Sequence, residues 1–218
     1  MTIDPKQLSY GDLPGPRTDG YKFDPLYDVL VFIRLNADGS HVARIHYFNA
    51  TGCDFASMQG RMEAAIAFLQ IPDNIDQIPP ASLNCKSIRR SFQNFAFSAQ
   101  SNILLFVDNG AVQFRDIPLF FTGTLKDGHE AAMNKSFYDA EPVALKLPSG
   151  AAHGAYLRNY FTNGSSRGPG ENPIGKSERY IYAFNFNLSS ADADDYSIVQ
   201  QVILDPDGGN MGSGGPPP

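Results

Sequence analysis

Residues Gly170 to Ser177 read GENPIGKS and satisfy the phosphate-loop formula G-x-x-x-x-G-K-[ST]. Gly170, Gly175, Lys176 and Ser177 are therefore candidate nucleotide contacts. The chemistry needs a buried strand just before the loop, so that backbone can curl round phosphate oxygens. It also needs a helix after the loop, whose N-terminal N–H groups and dipole hold the anion. The flanking residues argue against both. Glu178–Leu188 (ERYIYAFNFNL) has period two and puts Tyr180, Tyr182, Phe184, Phe186 and Leu188 on one side, which is a strand pattern. Upstream, the last strand residue falls near Phe161, with a long polar gap before Gly170. Ile103–Asp108 (ILLFVD) imitates a magnesium-binding strand, but it precedes the glycine loop and runs into turn residues. The expected role of Gly170–Ser177 is a Gly/Pro-rich hairpin loop with Lys176 in solvent. Nucleotide binding is the second alternative.

Two strand faces mix aromatic residues with Arg or His. One is Arg44, His46 and Phe48; the other is Tyr156, Arg158 and Tyr160. Tyr and Arg are enriched where surfaces bind, because they bury a large area and keep a polar handle. These six residues are the candidate ligand- or partner-binding set. The competing reading is a face whose Arg runs over its aromatic neighbours to water.

Other chemistry is sparse. No G-x-S-x-G elbow occurs, so no serine nucleophile is expected. Cys53 and Cys85 read as free, partly buried thiols. His41, His46, His129 and His153 lack zinc-ligand spacing, and no metal or cofactor is expected. The aspartates at Asp194, Asp195, Asp205 and Asp207 sit in turn-like segments and read as solvated.

The balance of 17 Lys/Arg against 23 Asp/Glu gives a net charge of −6. With no basic run, the chain repels a phosphate backbone, and nucleic acid is not an expected partner. No apolar stretch approaches the roughly 20 residues of a membrane helix, so no membrane is expected either. The N-terminus lacks a basic then apolar leader, which points to the cytoplasm.

The elements that must position these residues are mostly strands. Residues 1–27 read as an extended arm, 28–204 as one domain, and 205–218 (DPDGGNMGSGGPPP) as a flexible Gly/Pro-rich tail. Asp28–Leu35 and His41–Phe48 flank Asn36-Ala37-Asp38-Gly39 and predict a hairpin. The first strand is apolar on both faces, so it belongs to a sheet covered on both sides or to an oligomer interface. Asp54–Gln70 is the one helix, capped by Asp54 and stopped by Pro72. Asp108-Asn109-Gly110 predicts a hairpin turn, and Thr122–Phe137 a polar loop. Short strands separated by frequent turns predict a mainly β protein, an antiparallel β-sandwich or jelly roll with one α-helix. The expected function is a non-enzymatic β-sandwich protein that forms a homo-oligomer or binds a protein partner. The alternative is a small-molecule binder or enzyme with a Tyr/Phe-lined pocket.

Overall fold

The computed structural model describes residues 2–12, 23–90, 96–97, 100–115, 123–124, 130–131, 138–159, 181–192 and 197–210. The double-sided apolar run forms β1 (Tyr27–Leu35), and β2 (His41–Asn49) returns beside it with Leu30 opposite His46. Gly39 closes the turn at φ +83°, a conformation that a side chain would strain. Then come α1 (Phe55–Leu69), β3 (Cys85–Arg89), β4 (Ala96–Phe97), β5 (Ser101–Asp108) and β6 (Val112–Phe114). The remaining strands are β7 (Gly123–Thr124), β8 (Glu130–Ala131), β9 (Tyr138–Lys146), β10 (Ala152–Asn159), β11 (Ile181–Ser190) and β12 (Ile198–Asn210).

The protein is mainly β, with one α-helix among the described residues. Six strands form a sheet in the order β3-β2-β1-β5-β10-β9, and four form a second in the order β4-β12-β11-β6. The all-antiparallel expectation fails at the centre of the first sheet, where β1 and β5 run parallel with Val31 beside Leu105. A parallel pair needs a long crossover, and α1 lies in the connection that supplies it.

The Asp108-Asn109-Gly110 turn is not a hairpin either. β5 already has β1 and β10 on its two sides, so no edge is left for the returning strand. The turn instead passes the chain to the second sheet, where β6 pairs with β11. Within the segment expected as loop, Gly123–Thr124 pairs with Glu130–Ala131 as a two-stranded ladder. At the C-terminus β12 continues through Asn210, and Gly208 and Gly209 pair with Tyr182 and Ile181. Residues 205–210, read as tail, therefore belong to a strand; residues 211–218 lie outside the described set.

Strand alternation divides the core. Val29, Val31, Ile33, Leu105 and Val107 point to one side and pack with Phe114, Phe186, Leu188 and Val202 of the second sheet. Leu30, Phe32, Leu104 and Phe106 point to the other side, under Met58, Met62, Ile66 and Leu69 of α1. The two-faced apolar pattern of β1 is thus satisfied within the chain.

Helix α1 presents Met58, Met62, Ala65, Ile66 and Leu69 to the sheet at helical spacing. Burying each large side chain contributes on the order of 1.5–3 kcal/mol. Asp54 caps its start, accepting from Ser57 N–H at 2.8 Å. At the other end Arg34 donates to the Leu69 carbonyl and, at 3.2 Å, to Asp108. A helix leaves its last carbonyls unsatisfied, so Arg34 both finishes α1 and ties it to β1 and β5. The N-terminal segment completes this side: Ile3, Leu8 and Tyr10 are buried in the same cluster, and Ser9 bridges to Lys146 on the sheet's β9 edge.

Candidate functional site

The two mixed faces both lie on the α1 side of the six-stranded sheet. Phe48 and Tyr156 are members of the apolar cluster there, and strand alternation puts Arg44, His46 and Arg158 on the same side. They are largely interior, and that changes what they can do. Tyr160 and the loop residues Gly170, Gly175, Lys176 and Ser177 lie outside the described residues. A helix opened by Lys176 would have to run into residues that form β11 from Ile181 onward.

Around Tyr156 the structure assembles a buried polar chain. Arg158 Nε donates to the Tyr156 hydroxyl at 3.3 Å, and that hydroxyl donates to Asn102 Oδ1 at 2.6 Å. Asn102 Nδ2 donates to Asp28 Oδ1 at 2.6 Å. The other carboxylate oxygen, Oδ2, accepts from Arg61 Nη1 at 2.9 Å. The same Arg61 nitrogen reaches the Asn49 carbonyl, while Nη2 lies 3.0 Å from Cys53 Sγ. The chain starts at β10, crosses β5 and β1, and ends on α1. Arg158 also sits over the Phe23 ring at 5.2 Å, which shelters its outer end.

The electrostatics follow from burial. Asp28 is 1% exposed and Arg61 8%. Desolvation pushes the Asp28 carboxyl above its usual range, and the Asn102 hydrogen bond and the Arg61 charge pull it back. Each polar partner is occupied by another side chain of the chain, so the arrangement is built to hold charge in place.

The sequence reading found Tyr156 and Arg158 but missed Asp28, Asn102 and Arg61. One signal was available. Arg61 interrupts the stripe Met58, Met62, Ala65 at helical spacing, and a charge on a buried helix face requires a buried partner. Asn102, inside an apolar strand, carried no such mark.

The second face is arranged differently. His46 is fully enclosed, and neither ring nitrogen has a hydrogen-bond partner. Arg44, two residues before it, pairs with Asp76, which also meets Arg90 at 3.4 Å. Burial, with the Arg44 charge second, lowers the His46 pKa to about 4 against a small opposing pull from Asp76.

The expected Tyr/Phe-lined pocket depends on β11. Phe186 and Leu188 fill the space between the sheets, with the Phe186 ring 4.9 Å from Phe114. Cys53 and Cys85 are unpaired thiols, and burial raises the Cys85 pKa to about 11. Among the described residues, no three His, Cys, Asp or Glu side chains converge on a metal site. Among them too, no helix is long and apolar enough to cross a membrane.

Comparison with known proteins finds no family model, no curated protein and no solved structure that matches this chain.

Proposed function

We propose that this is a non-enzymatic β-sandwich protein whose role is protein binding, first of all association with a second copy of itself. One observation carries the reading. Ile198 and Val199 at the start of β12 are 52% and 56% exposed. Among the described residues, β12 has β11 along one edge, while its other edge meets only β4, at Gly209 and Asn210. The stretch IVQQVIL over Ile198–Leu204 contains neither charge nor proline, the usual devices that keep an edge strand from recruiting another chain. Such an edge can take an added strand by main-chain hydrogen bonds, with exposed apolar side chains packing beside it.

The buried polar chain favours a binding role over catalysis, because Asp28, Asn102, Tyr156 and Arg61 are committed to one another. A cytoplasmic setting goes with this reading, since two unpaired thiols suit a reducing compartment.

Light scattering on size-exclusion fractions tests it. The native chain is expected to gain mass with concentration, and Val199→Lys, at an exposed position, to remain monomeric with its fold intact by circular dichroism. A native chain that stays monomeric at every concentration removes the proposal.

A further inference from the structure

His46 is fully buried on the α1 side of the six-stranded sheet. On β2 its row neighbours are Arg44 and Phe48, and across the ladders it faces Leu30 of β1 and Ile88 of β3. The buried side chains of α1 are uncharged apart from Arg61, which is bound to Asp28, and half-buried Glu63 acts on Tyr10 of the same cluster. The cover continues with the connection from α1 to β3, residues 70–84. Ile75 and Leu83 of that connection pack against the same apolar cluster. Asp76 reaches Arg44 and Arg90, and Asn74 Nδ2 donates to the Phe68 carbonyl at 3.1 Å.

The charge count at this spot is lopsided. One carboxylate, Asp76, serves two guanidinium groups. A proton on His46 would add a third positive charge, and its N–H groups would have no acceptor. Burying an unpaired charge costs far more than exposing it to water.

We propose that residues 70–84 form an acid-released cover, held closed while His46 is neutral and lifted when His46 takes a proton. The direction follows from linkage. In the closed state His46 titrates at about 4, while an exposed imidazole titrates near 6.5. Above 6.5 both states hold it neutral, and pH has no effect through this group. Between 6.5 and 4 only the open state binds the proton, so opening gains with every fall in pH. Below 4 both states are charged and the gain is complete. The full change in the opening equilibrium is about 300-fold, from the 2.5-unit gap. Asp76 reinforces it at the acid end, because its ion pairs with Arg44 and Arg90 fail once it is protonated.

The test is native-state hydrogen exchange on the whole chain at pH 7, 5.5 and 4.5, corrected for intrinsic exchange, comparing native protein with His46→Phe. Amides in 70–84 should lose protection steadily in the native protein, by about 60-fold between pH 7 and 4.5, since roughly 1.8 of the 2.5 units are spent by then. They should keep it in His46→Phe, while β1 and β5 stay protected in both. Equal losses in the two proteins overturn the proposal, because Asp76 or other carboxylates would then be the cause. Loss across β1 and β5 together with 70–84 also overturns it, since that is global unfolding. If His46→Phe fails to fold, nitrogen-15 histidine labelling of the native chain decides. His46 protonation in step with opening supports the cover, and protonation with residues 70–84 still protected overturns it.

Discussion

Asp28 concentrates the cost of a buried charge in one residue, and its neighbours define what its loss would do. Asp28→Ala would strand the Arg61 guanidinium and orphan the Asn102 amide, both beneath α1. Removing one partner of a buried ion pair costs about 3–5 kcal/mol, so urea unfolding at pH 7 should show a loss of that size. Asp28→Asn keeps an acceptor for Arg61 and should lose less. It should also change the pH profile. Burial raises the native Asp28 pKa above its unfolded value of 3.8, so native protein holds this proton to higher pH than unfolded chain does. Through this group, stability falls as pH rises from 3.8 to the native value. Asp28→Asn should remove that slope from a series of unfolding curves, and an unchanged slope would show that Asp28 titrates normally. Residues of this kind are only half legible in a sequence. Arg61 on an apolar helix face announces a partner, but nothing in the spacing says that Asp28 and Asn102 provide it. Sequence separation of 33 and 74 residues is bridged only by the register of β1, α1 and β5.

Elements were more legible than their pairing. The helix emerged within a residue of its expected ends because Asp54, the apolar stripe and Pro72 each act locally. Asp54→Ala should therefore cost about 1 kcal/mol, the usual value of a lost N-cap, read as a lowered Tm. Pairing depends on distant neighbours, which is why the Asp108-Asn109-Gly110 turn was mistaken for a hairpin. Nothing near residue 108 reveals that β10, some 50 residues on, occupies the edge that β6 would have used. Two glycines separate local from non-local constraint. A Cβ on Gly154 of β10 would stand 2.5 Å from the Leu105 carbonyl oxygen and 2.8 Å from Leu145 Cδ1. The carbonyl belongs to backbone and cannot move aside, so Gly154→Ala should cost about 1–3 kcal/mol or more. Gly60, on the exposed side of α1, has nothing within 4 Å of the same position. Gly60→Ala should stabilise by about 0.5–1 kcal/mol through helix propensity. Opposite signs in thermal melts of the two variants would confirm the geometry, and like signs would refute it.

At the scale of the whole molecule, the six-stranded sheet is the shared wall of two apolar clusters, and that has a consequence for cooperativity. The sequence showed that β1 was apolar on both faces but left open whether a second chain or this one covered it. The answer needed the positions of α1 and β11, which hydrophobic periodicity does not contain. Met62 packs on the α1 side and Val202 on the other, both 0% exposed. If the sheet couples the clusters, a cavity in either must destabilise one common folded state. Met62→Ala should cost about 2–5 kcal/mol, and Val202→Ala less, in proportion to the smaller volume removed. Each should shift a single transition seen alike by far-ultraviolet circular dichroism and tyrosine fluorescence. Because the two sites share no partner and stand on opposite sides of the sheet, their effects should add within about 0.5 kcal/mol. Two separated transitions, with Met62→Ala moving only one of them, would mean that the helix side and the second sheet fold independently. The exposed β12 edge would then belong to a unit that can open without the α1 side.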